Sequence, residues 1–117
     1  NTGVDAQTSM ILQYENAQAV LYCGIANESD NNAKLGGTEG EILLHGFWHN
    51  AQKVSLTQAG NTIQADFPST GNGYVPEIEE VNRCIASGKK ESELWSHNDA
   101  LELGRMVEKV FEKIRQK

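Results

Sequence analysis

From Thr8 to Phe67 the apolar residues recur at about every second position, and after Gly73 they recur at every third or fourth. The first period belongs to half-covered strands, the second to amphipathic helices. "TSMILQY" (Thr8 to Tyr14) and "QAVLYCGI" (Gln18 to Ile25) flank "ENA" and predict an antiparallel hairpin. "NESDNN" (Asn27 to Asn32) contains only turn formers and predicts a surface loop. "AKLGGTEGEILLHG" predicts two short strands around a tight turn at Gly37 to Gly40. "KVSLTQ" and "TIQADF" predict another hairpin around "AGN", with Gly60 and Asn61 as the residues able to take positive φ.

The change of period follows the breaker segment "PSTGNG" (Pro68 to Gly73). Val75, Ile78, Val81 and Ile85 then form one stripe of a helix, with Pro76 at an early position where its missing N–H is not needed. Gly88 is placed as a left-handed residue just past the helix end, followed by Lys89 and Lys90 at the negative end of the dipole. A second helix is expected to open at "SHND", capped by Ser96 or Asn98 and supported by Asp99. Its stripe is Leu103, Val107, Val110 and Ile114, widened by Met106 and Phe111.

Strands first and helices last predict an α+β fold: an open-faced, mainly antiparallel sheet of five to six strands with helices packed on one face. At 117 residues the expectation is one domain, residues 1–117. Both alternating sets in "MILQY" and "AVLYCGI" are partly apolar. Two helices cover one sheet face, so an uncovered apolar face is expected to meet a partner, most simply a second copy in a homo-oligomer.

Composition narrows the function classes. With 38% hydrophobic and 22% charged residues, the chain is expected to be a soluble globular protein, with no run long enough for a membrane span. It begins without Met or a signal-peptide pattern, which predicts a processed product or an excised fragment. The net charge is -6, and residues 1–72 carry two lysines, Lys34 and Lys53, against seven carboxylates. Without a basic stripe, no nucleic-acid partner is expected. Cys23 and Cys84, far apart and each within an apolar segment, read as buried free thiols of a reducing cytoplasm. A single disulfide in an exported protein is the alternative.

No catalytic constellation emerges. His45 and His49 are four apart, which suits a metal pair only on a helix, and Gly46 interrupts the segment. No metal site is therefore expected. "LGGTEGE" lacks the Lys-Ser/Thr ending of a phosphate loop and leads into a strand, so a tight turn is the expectation. "GNG" precedes a helix without a GxGxxG pattern, and no serine or cysteine is tied to a histidine and carboxylate. Phe47, Trp48 and Trp95 read as packing residues; a second reading puts Phe47, Trp48 and His49 at the aromatic-and-polar rim of a substrate pocket at a strand end.

Three phrases taken together carry a resemblance: "TGVDAQTSMILQYENAQAVLYCGI", "LGGTEGEILL" and "GYVPEIEEVNRCIASGKKES…WSHNDALELGRMVEKV". In this order they resemble the C-terminal part of the Gfo/Idh/MocA oxidoreductases, in the branch containing the dimeric dihydrodiol dehydrogenases. The most specific piece is the helix-glycine-basic-Glu-Ser phrase at Val81 to Ser92, followed by the turn at Gly37 to Ile42. The resemblance implies a two-domain enzyme with an N-terminal Rossmann domain for NAD or NADP. It also implies a C-terminal open-faced sheet whose bare face forms the subunit interface. Such enzymes move a hydride between the nicotinamide and a sugar, polyol or related diol.

The family's glycine fingerprint, its Glu-Lys-Pro segment with the catalytic lysine, and its motif of an aspartate with a histidine or tyrosine have no counterpart in these 117 residues. Asp5 belongs to the strand-entry phrase and not to that motif. No catalytic or cofactor-binding residue is therefore assigned, and the chain by itself is expected to be inactive and to bind no cofactor. The expected role is part of the substrate-pocket wall and of the oligomer surface, beside the chain's own Rossmann domain in the cytoplasm. A stand-alone, non-catalytic interaction module is the alternative.

Overall fold

A computed structural model of the chain describes residues 4–115. It holds six strands followed by two helices: β1 (Gln7–Gln13), β2 (Gln18–Gly24), β3 (Ala33–Gly37), β4 (Gly40–Leu44), β5 (Lys53–Gln58), β6 (Asn61–Asp66), α1 (Tyr74–Ala86) and α2 (His97–Arg115). All strand pairs are antiparallel, and the α+β class follows. The chain divides into two compact units, Asn1–Pro68 with the strands and Ser69–Lys117 with the helices.

The strands fall into two sheets, where the alternation alone suggested one. β1 and β2 form a two-stranded ribbon, and β3-β4-β5-β6 form a meander in sequence order. The turn-rich segment between Gly24 and Ala33 separates them. In the ribbon, Thr8, Met10 and Leu12 are half-buried, whereas Ile11 and its cross-strand partner Val20 point outward. Val20 is 72% exposed, so the second apolar set of the ribbon does face out.

The meander has one aliphatic and one polar face. Register aligns Leu35, Ile42, Leu56 and Ile63 in one row across all four strands. The next row on that face is Ala33, Leu44, Val54 and Ala65. The first row is exposed, with Ile63 at 66%. The opposite face carries Lys34 paired with Glu41 at 2.6 Å, Thr57 bonded to Thr62 at 2.9 Å, and the buried Ser55.

The β5–β6 turn departs from expectation in one residue. Ala59 (φ +49°) and Gly60 (φ +79°) take the left-handed positions, not Gly60 and Asn61. Asn61 opens β6 and pairs with Gln58, leaving a two-residue loop of the primed hairpin type.

In the helical unit, Asn72 supports the start of α1 by accepting from the Tyr74 N–H on its side chain and from the Val75 N–H on its carbonyl. At the other end Gly88 has φ +68°, its N–H reaches the Ile85 carbonyl, and the Lys89 N–H reaches the Cys84 carbonyl. These two bonds are a Schellman closure, and they satisfy carbonyls the helix would leave unpaired. Ser96 caps α2 in a reciprocal box: the Asp99 N–H donates to its hydroxyl, and the Ser96 N–H donates to the Asp99 carboxylate at 2.9 Å. The Ser96 hydroxyl and backbone N–H hold the Asp99 carboxyl below its ordinary range.

Both cysteines are free thiols. Cys84 is buried, but Cys23 is exposed, contrary to the reading of two buried thiols. It lies near the end of β2 in a ribbon of only two strands, where apolar neighbours in sequence do not amount to cover in space. Among the described residues, no helix is long and apolar enough to cross a membrane.

Candidate functional site

The segment joining β4 to β5 is short and well anchored. His45 continues from β4, its N–H donating to the Lys53 carbonyl at 3.0 Å. Gly46 then turns the chain at φ +66°, a left-handed conformation that a side chain would strain. Its N–H donates to the Asn32 side chain at 2.8 Å, and the Trp48 N–H donates to the Asn31 carbonyl at 3.0 Å. Trp48–Asn50 close a single 3-10 turn through the Asn50 N–H and the Phe47 carbonyl. The "NESDNN" loop, expected only as surface, is thus the brace of this segment.

The structure brings Phe47, Trp48 and His49 together. The His49 ring lies 5.8 Å from the Trp48 ring, edge to face, and 6.0 Å from the Phe47 ring, tilted. Phe47 is 66% and Trp48 54% exposed, so neither serves as a core anchor. The group offers two apolar ring faces and an imidazole able to donate or accept a hydrogen bond.

His45 and His49 do not act as a pair. His45 is held by the buried Ser55, whose Oγ lies 2.6 Å from its Nε2, and Gln64 Nε2 donates to the same Oγ at 3.2 Å. Among the described residues, no group of three or more His, Cys, Asp or Glu side chains is arranged to hold a metal. His97 stands at the start of α2, exposed, its backbone N–H donating to Glu91. The His45–Ser55–Gln64 chain was not singled out from the sequence. Period-2 alternation does place all three on the polar face of the meander, but their contact depends on register.

A second feature is a shallow depression of about 440 Å³ beside the β3–β4 hairpin, floored by Leu35, Ile42 and Leu56 and edged by Glu39 and Gln58. Gly37 and Gly40 are paired across the hairpin and line the depression. The glycines of "LGGTEGE" build the tight turn expected between β3 and β4.

The strongest electrostatic cluster lies in the helical unit. Glu80 accepts two bonds from Arg83, each 2.7 Å, one from Ser92 Oγ, and one from Cys84 Sγ at 3.4 Å. Arg83 foremost, then Ser92, holds the Glu80 carboxyl down to about 2. Burial pushes the Cys84 thiol up, and the carboxylate beside it adds to that shift. A thiol so raised stays protonated and is a poor nucleophile. The cluster is structural in character.

With this geometry in place, sequence comparison identifies the class: over nearly its whole length the chain is similar to the C-terminal part of dihydrodiol dehydrogenase-like oxidoreductases. The trans-1,2-dihydrobenzene-1,2-diol dehydrogenase of Danio rerio is 34% identical over 121 residues, covering 94% of this chain and 35% of that enzyme. The enzymes of the same name from Xenopus laevis and Xenopus tropicalis are 30% and 31% identical, each covering 97% of the chain and 36% of the enzyme. The chain spans about a third of the length of the curated relatives it matches. No family model matches it.

Proposed function

We propose that this chain is the C-terminal domain of an NAD(P)-dependent oxidoreductase of the Gfo/Idh/MocA family, acting in the cytoplasm on a sugar, polyol or diol. The observation that carries the reading is the similarity of 94–97% of the chain to dehydrogenases of which it forms only about a third. In this reading Phe47, Trp48 and His49 form part of the substrate-pocket wall. Their exposure, ring geometry and braced backbone support that role.

The dinucleotide itself is not suited to the residues present. A pyrophosphate seeks a helix N-terminus with free N–H groups and no negative charge. The first turn of α1 carries Glu77 and lacks the N–H of Pro76, and that of α2 carries Asp99, which already takes the Ser96 N–H. In this reading the cofactor is held by a Rossmann domain of the whole protein. This chain contributes wall and assembly surface, with no hydride or proton step assigned to its residues.

The aliphatic row Leu35–Ile42–Leu56–Ile63 supports a homo-oligomer built on the meander. The same exposure favours a second reading, a stand-alone interaction module without an enzyme partner. The coding sequence before Asn1 separates them: a glycine fingerprint and a Glu-Lys-Pro segment in frame support the oxidoreductase.

The direct test is a chimera in which this chain replaces the matching third of the Danio rerio enzyme. It is expected to retain nicotinamide-dependent oxidation of trans-1,2-dihydrobenzene-1,2-diol or of a sugar or polyol. A chimera that folds and binds NADPH yet oxidises none of these would overturn the proposal. Calorimetry on the chain alone is expected to show no NADH or NADPH binding, and micromolar binding would contradict the division of labour.

A further inference from the structure

We infer that His45 is a positioning residue for the Phe47–Trp48–His49 segment, and that the buried Ser55 is the post to which it is tied. The inference rests on the pocket role proposed above for those three residues. It starts from an asymmetry between the two ends of the segment. In its middle the segment is braced at Gly46 by the Asn32 side chain and at Trp48 by the Asn31 carbonyl, and downstream, among the described residues, it is held by the 3-10 turn and the bond from Phe67 N–H to the Gln52 carbonyl. Upstream, His45 is fixed twice: its N–H donates to the Lys53 carbonyl, and its ring meets Ser55 Oγ at 2.6 Å.

Ser55 is an unusual anchor for this sheet. It is 6% exposed, the only buried polar side chain among the described residues, while its neighbours along β5 are half-buried or exposed. A buried hydroxyl is costly unless bonded, and among the described residues Ser55 is bonded through His45 and Gln64. A serine hydroxyl has one proton to give and two lone pairs. Gln64 Nε2 donates into one lone pair, which leaves the proton and the other lone pair to face His45 Nε2, and the 2.6 Å contact sets the ring orientation whichever atom donates. Since Gly46 follows directly, in a left-handed conformation, the direction in which His45 leaves β4 bears on where Phe47 begins.

The experiment has two arms. In the chain itself, with Trp95→Phe leaving Trp48 as the sole indole, near-UV circular dichroism reports how rigidly Trp48 is held. His45→Ala and Ser55→Ala are each expected to collapse the Trp48 band while far-UV spectra stay unchanged. His45→Gln, whose terminal oxygen can accept the Ser55 proton, is expected to keep it. In the chimera, the same two alanine variants are expected to raise the KM for trans-1,2-dihydrobenzene-1,2-diol about fivefold. The coenzyme KM should stay unchanged and kcat should stay within about twofold.

An unchanged Trp48 band in both alanine variants would overturn the inference. So would a parallel loss of kcat and coenzyme binding, since that is the signature of general destabilisation. Ser55→Ala removes a single hydroxyl and guards against a His45 variant that does not fold. An inactive parent chimera would count against the oxidoreductase reading alone, because the spectroscopic arm still decides whether His45 holds Trp48.

Discussion

Ser92 Oγ donates to Glu80 Oε1 across 2.5 Å, tying the segment after α1 back onto the helix. Arg83 grips the same carboxylate with two bonds, and Lys89 pairs with Glu93 at 2.6 Å in the tied segment. Together with the Schellman closure at Gly88, these bonds give the connection between the helices a defined course.

Acid should loosen this knot in a particular window. The Glu80 carboxyl is lowered from 4.5 to about 2, so its contribution to stability is complete above the unfolded value and is lost as pH falls through that interval. Glu80→Gln is expected to lower the melting temperature at neutral pH and to flatten its decline between pH 4.5 and 2. Asp99 and Glu93, lowered as well, keep a residual slope. Identical acid limbs for the variant and the unaltered protein would show that the knot contributes nothing.

Two left-handed positions predict changes of opposite sign. A Cβ added at Gly88 would meet nothing within 4 Å, so Gly88→Ala carries only the cost of the backbone conformation. That cost is about 1 kcal/mol, read as a lower denaturation midpoint. Ala59 already bears such a strain at φ +49°. Ala59→Asn restores the Asn-Gly pair preferred in primed hairpin turns and should raise stability by up to about 1 kcal/mol. A loss of stability in Ala59→Asn would contradict the turn geometry.

At Gly40 the constraint is contact. A Cβ there would collide with the Thr57 carbonyl oxygen, and backbone cannot swing aside as a flexible side chain can. Gly40→Ala should cost roughly 1–3 kcal/mol. Hydrogen exchange should locate the damage in the β4–β5 ladder, and protection left intact there would refute the assignment.

In solution the chain is expected to form a dimer or higher species through the aliphatic row. Burying each Leu or Ile side chain fully is worth about 1.5–3 kcal/mol, whereas an unpaired carboxylate among them costs more than it returns. Ile63→Glu should therefore shift light scattering toward the monomer. A clean monomer of the unaltered protein at high concentration would sink the proposal.

Local patterns were the legible part of the sequence. Alternation pointed to five or six strands in the right segments, and Gly88 and the pair Ser96 or Asn98 marked helix ends because caps depend on neighbours a few residues away. Ala59 was missed because propensity points to Asn61, while the register of β5 and β6 gives the turn to the pair before it. Cys23 and the division into two sheets were missed because burial depends on what lies above a strand, which alternation does not encode. Of the candidate site, Phe47, Trp48 and His49 stood out by residue type. The links of His45 to Ser55 and of Glu80 to Ser92 join distant positions, although Glu80, Arg83 and Cys84 at helical spacing offered a partial signal.

The order of the strands bears on how quickly the sheet unit forms. Every strand pairs only with its neighbour in sequence, and no aligned pair is farther apart along the chain than Gln7 and Gly24. Long loop closures, the slow step for most β proteins, are not required. Each hairpin can zip on its own and recruit the next. A sheet that assembles this way completes its ladders early and limits the time its aliphatic face spends beside unpaired backbone.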